Sequence, residues 1–263
     1  MKKYKACAKV NIFLKITGKR GNYHEIFSRF MKLPYLYDEL SFEPKKNALS
    51  RFVLYGDFGC ETEQNTIYKA YTALLKETQS EALAKLIETH AIKVTKNIPS
   101  FAGLGGGSSD AATFLKMCNT TLDLGLSLHE LARIGLHIGA DIPFFIYDYN
   151  SANVSGIGEI VEKYEEEPLD IETLTPAIEV STPMVYHCFR ENFYKELSPE
   201  QYGQLSVTPS DEIMKNYSIS EANDLFEPAL QLYPELKNSY RKGWFFSGSG
   251  STFFRVREGN ANG

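Results

Sequence analysis

The stretch Ile98-Pro99-Ser100-Phe101-Ala102-Gly103-Leu104-Gly105-Gly106-Gly107-Ser108-Ser109-Asp110-Ala111-Ala112 decides how the rest of the chain is read. Four glycines fill the five positions from 103 to 107 and run directly into a helix start. Glycine takes positive φ without steric cost and lets backbone N–H groups close on a polyanion. A helix that begins at once aims its unpaired N–H groups and the positive end of its dipole at the same point. The pattern predicts a phosphate-holding loop, with a nucleotide triphosphate as its default ligand. A flexible linker is the bland alternative, but linkers are not followed by Ala111, Ala112, Phe114, Leu115, Met117 and Cys118 at helical spacing. The spelling sets aside two common nucleotide loops. A P-loop needs Gly-Lys-Ser/Thr, and here Gly18-Lys19 is followed by Arg20. A dinucleotide fingerprint needs glycine at 103, 105 and 108, and position 108 is serine.

Working outward, an alternating strand over 92–96 feeds the loop, and helical patterning covers 66–75 and 80–88. Downstream, Ser127-Leu128-His129-Glu130 reads as a capping box that opens a helix running towards Gly139, just before Asp141-Ile142-Pro143. Residues 4–16 alternate and predict a half-buried strand: Ala6, Ala8, Val10, Ile12, Leu14 and Ile16 point one way. Lys9 and Asn11 share the other face, which lines a functional groove or, as lysine rows more often do, meets solvent. Near the C-terminus, Phe246-Ser247-Gly248-Ser249-Gly250-Ser251-Thr252 lies between aromatic pairs and predicts a tight turn between buried strands, either a plain hairpin or a second anion-facing loop. The mixed order of elements indicates an α+β fold.

With 263 residues, 43% of them hydrophobic and 23% charged, the chain can bury a sizeable core in one or two domains. A formal charge of −5 gives no global attraction to nucleic acid or anionic membrane. The expected partner is a small molecule met by a local cationic patch. Cysteines 7, 60, 118 and 188 are scattered without metal-ligand spacing and read as reduced structural thiols. No apolar run approaches a membrane helix, so a cytoplasmic protein is expected.

Three segments in order, the N-terminal strand, the Gly-Leu-Gly-Gly-Gly-Ser-Ser loop and the C-terminal glycine-serine loop, resemble the GHMP kinase superfamily. Further segments resemble the branch that phosphorylates a cytidine-diphosphate ester of methylerythritol in isoprenoid biosynthesis. They are Ala8 to Leu14, Gly18-Lys19-Arg20 with Tyr23-His24-Glu25, Leu36-Tyr37-Asp38, Gly139 to Phe145, Gly156-Ile157-Gly158-Glu159 and Asn223-Asp224-Leu225. Two departures stand out: the Arg20 to Tyr23 spacer is one residue short, and Phe101-Ala102 sits where small residues are usual.

The resemblance implies a two-lobed fold with the active site in the cleft between lobes, an N-terminal ATP-binding domain over 1–155, a C-terminal domain over 156–257, and a tail at 258–263. It implies ATP and Mg²⁺ as cofactors, a monomer or weak homodimer, and Asp141 as general base on the substrate's C2 hydroxyl with Lys9 stabilising charge on the transferring group. Taken alone, an aspartate before Ile-Pro is more often a turn or cap residue. The triphosphate falls to Pro99, Gly103, Leu104, Gly105, Gly106, Gly107, Ser108 and Ser109, with a serine hydroxyl for phosphate or Mg²⁺ and no residue assigned as a direct metal ligand. Asp110 is expected to complement the helix dipole rather than reach a metal through water. Asn65 and Lys96 are candidates for the adenine and ribose side, or else a helix cap and a solvated strand residue. Tyr23 and Tyr186 are expected to stack the cytosine and His24 to read its edge, with Thr182 near ribose and Asn11, Gly248 and Gly250 near the erythritol and phosphate end. Two other readings stay open at this point: a kinase for another small alcohol such as mevalonate or homoserine, and a nucleotide-binding regulator without catalysis.

Overall fold

The computed structural model describes residues 2–21, 23–45 and 52–257; the expected tail at 258–263 lies outside them. The fold is α+β, and the chain forms two compact units built from interleaved segments. One comprises residues 1–8, 34–100 and 105–148; the other comprises 9–33, 101–104 and 149–263. The first unit lies wholly before residue 155, whereas the second draws on segments from either side of it.

The long strands β1 (Tyr4–Arg20) and β2 (Tyr23–Pro44) pair with each other and contribute to both units. In the first unit, β2 pairs antiparallel with β4 (His90–Thr95) from Glu39 opposite Thr95 to Pro44 opposite His90, and the short β3 (Leu54–Tyr55) runs parallel to β4. Five helices complete the unit: α1 (Thr66–Thr78), α2 (Glu81–Thr89), α3 (Gly106–Leu122), α4 (Leu128–Leu136) and α5 (Ile142–Tyr147). Three of them, α1, α2 and α4, start at a capping side chain. Asn65 accepts from the Ile67 amide, Ser80 accepts from Leu83, and Ser127 with Glu130 closes the expected capping box. Ile67, Ala70 and Leu74 form the apolar stripe of α1, whereas α3 is buried nearly all round from Ser109 to Cys118, Lys116 excepted, with Ser109, Asp110 and Thr113 among its buried side chains.

In the second unit, β2 pairs with β5 (Ser151–Gly156), which pairs with β6 (Ile160–Lys163), both antiparallel. A separate three-stranded sheet sets β9 (Phe253–Val256) between β7 (Ile171–Leu174) and β8 (Phe245–Phe246), so the expected C-terminal hairpin forms. Helices α6 (Thr182–Asn192), α9 (Ile219–Ala222) and α10 (Phe226–Leu232) contribute to a core that includes Leu14, Ile16, Val185, Phe189, Phe226, Phe246 and Phe253, and α7 (Pro199–Val207) and α8 (Ser210–Asn216) lie between α6 and α9 in the chain.

Residues 190–220 match none of the segments that carry the resemblance, and a buried arginine of β2 anchors the end of α7 within them. The Arg29 side chain is 0% exposed and lies in the apolar run Ile26 to Met31 of β2. Its guanidinium donates to Asn153 Oδ1 at 2.6 Å and to the carbonyls of Leu205, Ser206 and Thr208 at 3.2, 3.1 and 3.2 Å, and it stacks 3.3 Å from the centre of the Tyr164 ring. The last carbonyls of α7, which no helix can satisfy internally, are thus bound by a cation where the dipole is negative. Burial lowers the Arg29 pKa, with Glu166 and Tyr164 opposing that shift.

One expectation about β1 is corrected. From Ala8 to Leu14 the strand is buried on both faces, so Lys9 and Asn11 face protein rather than solvent. Alternation reports what one face needs; it cannot report that the opposite face is also covered. Among the described residues no helix is long and apolar enough to cross a membrane.

Candidate active site

The glycine loop is shared along the chain: 101–104 belongs to the second unit and 105 onward to the first. In the first unit, Gly105 is the residue before α3 and adopts φ +71°, the left-handed region that only glycine enters cheaply. It has no side chain with which to cap the helix, and the first turn holds no acidic residue. The amides at the start of α3 are therefore not taken by a side-chain cap, as anion binding requires. Ser109 is buried inside the helix, whereas Ser108 is half-exposed, and its Oγ lies 3.6 Å from where a Cβ on Gly139 would stand. That neighbour is the turn leading to Asp141.

Asp141 precedes α5 in helical geometry, with Pro143 in the first turn, and its side chain makes no capping hydrogen bond. It sits in the turn that leads into α5, as the ordinary reading of such an aspartate has it, but without capping the helix through its side chain.

Asn65 and Lys96 take the structural readings offered for them in part. The Asn65 carboxamide caps α1, with Oδ1 accepting from the Ile67 amide at 2.9 Å. The next residue, Thr66, donates its hydroxyl to the Gly107 carbonyl at 2.7 Å and ties α1 to the phosphate loop. Lys96 is not solvated. Its ammonium is bound by Asp38 and by Asp110 Oδ2, the latter at 2.8 Å, which commits two of its three donors. Asp38 is fully buried and also accepts from the amides of Asn97 and Ile98, at 2.5 and 2.8 Å. Burial pushes the Asp110 carboxyl up to about 7, with Lys96 pulling it down and Asp38 pushing it further up. For Lys96, desolvation is outweighed by the two carboxylates and its pKa rises. Asp110 therefore does not complement the dipole from the first turn, as expected of it; it lies beyond that turn and clasps a lysine. Pro99 is exposed between β4 and the loop.

In the second unit, Lys9 donates to Asn11 Oδ1 at 2.6 Å and lies 4.4 Å from the Phe30 ring centre. Asn11 in turn donates to Ser28 Oγ at 2.9 Å. Lys9 and Asn11 are 3% and 1% exposed, so a cation and an amide are held inside the protein on one strand face. The Lys9 amide donates to the Leu104 carbonyl, which seats the start of the glycine loop beside them. The two glycine-rich loops meet here. Gly103 adopts φ +74°, and a Cβ on it would stand 2.1 Å from the Ser247 carbonyl oxygen; Ser247 Oγ donates to the Gly103 carbonyl at 2.9 Å. A Cβ on Gly248 would lie 3.5 Å from Asn11 Oδ1. Lys9, Asn11, Gly103, Leu104 and Gly248 thus form one cluster, with Gly250 in the same buried loop, while Phe101 points outward at 60% exposure, where its bulk meets nothing.

A second cluster of the same unit gathers on α6. The His24 and Tyr186 rings lie 5.0 Å apart, inclined at 35°, and Thr182, one turn before Tyr186, shares a 2.7 Å hydrogen bond with Ser249. His24 Nε2 is buried with no hydrogen-bond partner among the described residues. Burial and the cations Arg190 and Lys19 lower the His24 pKa, so the ring is neutral at pH 7. Tyr23 opens β2, but its side chain lies outside the described set, as does Asn22 in the shortened spacer.

Asp38, Asn223 and Ser247 carried no assigned role in the sequence, and all three are buried polar groups in the loop framework. No local signal marked them as buried: Asp38 adjoins Glu39, Asn223 adjoins Asp224, and Ser247 opens a glycine-serine run.

The first unit thus carries a glycine-led helix start without a side-chain cap and the second a buried lysine, and comparison with known proteins shows the class of protein. The model for the N-terminal domain of GHMP kinases matches residues 65–149. A curated relative from Sulfurimonas denitrificans, named 4-diphosphocytidyl-2-C-methyl-D-erythritol kinase, is 63% identical over 98% of both chains. One of the same name from a Sulfurovum species is 45% identical over 96% of this chain and 98% of its own. The crystal structure of a 4-(cytidine 5'-diphospho)-2C-methyl-D-erythritol kinase superposes with a TM-score of 0.74 at 30% identity, covering 98% of this chain and 91% of that one. The chain belongs to the 4-diphosphocytidyl-2-C-methyl-D-erythritol kinase family of the GHMP kinases. It is a kinase, an enzyme that takes ATP and a small-molecule acceptor.

Proposed function

We propose that this chain transfers the γ-phosphoryl group of ATP to the C2 hydroxyl of 4-diphosphocytidyl-2-C-methyl-D-erythritol, in the non-mevalonate route to isoprenoids. The observation that carries the acceptor is His24: a neutral imidazole with a buried, unpartnered Nε2 leaning on an aromatic ring. Neutral imidazole offers one donor and one acceptor, as reading the mixed edge of cytosine demands, and the Tyr186 ring supplies a stacking face. The 5.0 Å spacing leaves no room for a base between His24 and Tyr186, so in this reading the pyrimidine does not enter between these two rings. Thr182 takes the ribose and Asn11 the erythritol end.

Phosphoryl transfer asks the protein for charge neutralisation and alignment rather than covalent chemistry. The amides from Gly105 to Ser108 hold the β- and γ-phosphates, and Ser108 contributes its hydroxyl. Asp141 accepts the C2 hydroxyl proton as the oxygen bonds to phosphorus, and Lys9, oriented by Asn11, offsets the charge on the transferring group. The donor set fits a cation carried in on the triphosphate: among the described residues no cluster of three acidic, histidine or cysteine side chains could hold a metal by itself. Mg²⁺ bound through the phosphates and Ser108 would neutralise phosphate charge.

The test is coupled ADP release with Mg-ATP, comparing the cytidyl acceptor with mevalonate, homoserine and galactose, for the native protein and Asp141→Asn. Turnover with the cytidyl acceptor alone, reduced about 10²- to 10⁴-fold by Asp141→Asn with an unchanged circular dichroism spectrum, is the expected result. Turnover with another acceptor removes the cytosine reading, and an unchanged kcat in the variant removes the base.

A further inference from the structure

Asn223 lies between α9 and α10, 2% exposed, with every polar atom of its carboxamide engaged. Both hydrogens of Nδ2 go to the C-terminal glycine loop, one to the Phe246 carbonyl at 2.8 Å and one to the Gly248 carbonyl at 2.9 Å; Oδ1 accepts from the Leu225 amide at 2.8 Å. The two carbonyls flank Ser247, whose hydroxyl holds Gly103 and whose carbonyl excludes any side chain there. A Cβ on Gly248 would stand 3.4 Å from Gly103 and 3.5 Å from Asn11 Oδ1, so the loop passes close to both, and Asn11 Oδ1 accepts from the Lys9 ammonium. A chain of contacts therefore runs from Asn223 through the Phe246 and Gly248 carbonyls to Gly103, Asn11 and Lys9.

The neighbouring Asp224 does something different. Its carboxylate binds the Lys15 ammonium and the Ile16 amide, farther along β1, and its amide donates to the Leu14 carbonyl. One side chain of the pair anchors a strand and the other sets a loop. Sheet pairing alone does not fix residues 247–249: the Ser247 amide bonds to the Thr252 carbonyl and the Gly250 amide to the Ser247 carbonyl, which leaves the carbonyls of 246 and 248 to be aimed by Asn223.

We infer that Asn223 is a positioning residue of the phosphotransfer site, fixing the loop Ser247–Gly248 against Gly103 and Asn11 so that Gly103 and Lys9 are held in register within this unit. The inference rests on the reading of Lys9 and Gly103 as parts of that site. Because transfer requires the reacting atoms to be aligned to a fraction of an ångström, loosening this support lowers kcat more than it weakens binding.

The experiment compares Asn223→Ala with Asp224→Asn, using whichever acceptor the native protein turns over in the four-acceptor screen. That choice keeps a wrong acceptor assignment separate from a wrong role for Asn223. Rates are expressed per folded molecule, measured by circular dichroism well below each Tm. Asn223→Ala is expected to lower kcat at least tenfold with both KM values within threefold, while Asp224→Asn lowers Tm and leaves kcat per folded molecule within twofold. Equal losses in the two variants, or a native kcat in Asn223→Ala, overturn the inference. Should Asn223→Ala fail to fold, Ser247→Ala carries the test by releasing the Gly103 carbonyl from the other side of the same loop. A kcat at least threefold lower supports the role, and an unchanged kcat overturns it.

Discussion

The loops 103–109 and 247–252 are both built of glycine and serine, yet they end in opposite surroundings. Every residue from Ser247 to Thr252 is buried, whereas Gly103, Gly105, Gly106 and Ser108 are half-exposed and Gly107 is exposed. In the buried loop the polar atoms are answered by protein: Ser249 by Thr182, Ser251 by the Pro176 carbonyl at 3.1 Å, Thr252 by Thr175 at 2.8 Å. In the open loop the first amides of α3 meet no capping side chain. The same composition thus serves two needs. Glycine in the C-terminal loop permits backbone to approach backbone, and in the α3 loop it leaves backbone reachable by a ligand. Gly103 is the point where the two uses meet, since it begins the open loop and packs against the closed one.

That distinction breaks first at Gly103. An alanine there would place Cβ 2.1 Å from the Ser247 oxygen and 2.9 Å from its carbonyl carbon, at φ +74°, with backbone rather than a flexible side chain in the way. Left-handed strain and overpacking together predict a loss of about 2–5 kcal/mol in urea unfolding; a loss under about 1 kcal/mol would mean that the loops do not interlock as tightly as the distances require. Gly107→Ala sharpens the contrast. Gly107 is helical, and its nearest neighbour to a new Cβ is Thr66 Oγ1 at 3.4 Å, an ordinary contact. Stability should hold or rise by about 0.5–1 kcal/mol, while the KM for ATP rises about tenfold, roughly 1.4 kcal/mol of lost binding, because the methyl group stands where phosphate approaches. An unchanged KM would move the phosphates away from the start of α3.

The difference between the loops was only partly legible. The helix start after Gly105, the hairpin after Phe246 and the caps at Asn65, Ser80 and Ser127 follow from local chemistry, and each is present. What local chemistry could not supply was the partner of a distant group. The solvated alternative for Lys9 failed because β1 is covered on both faces, and the cover comes from segments far along the chain. Lys96 read as a strand-end lysine, yet Asp38 is 58 positions before it and Asp110 is 14 after. Arg29 gave the clearest unread signal: a lone guanidinium inside Ile26 to Met31 must find several acceptors or it could not be buried. The acceptors turned out to be the end of α7, where the sequence itself was silent.

The smallest expected effect concerns the charge behind the open loop. Asp110 lies one turn into α3 with its carboxyl pushed up to about 7, chiefly by burial, and the charged groups facing it are Lys96 at the end of β4 and Asp38 on β2. A folded-state pKa above the unfolded one means that the native protein holds a proton which the unfolded chain has already released between about pH 4 and 7. Stability from this group is therefore present at low pH, declines as pH rises through that window, and is lost above 7. Asparagine has the same shape and no charge to desolvate. Asp110→Asn should be more stable than the native protein at pH 8 by about 1 kcal/mol, a Tm higher by roughly 2–4 °C, with the gap closing at pH 5, where the native carboxyl already carries its proton. A gap independent of pH would mean that Lys96 keeps Asp110 ionised throughout. The α3 loop would then rest on a negative charge as well as glycine, and would differ from the C-terminal loop in its electrostatics as much as in its exposure.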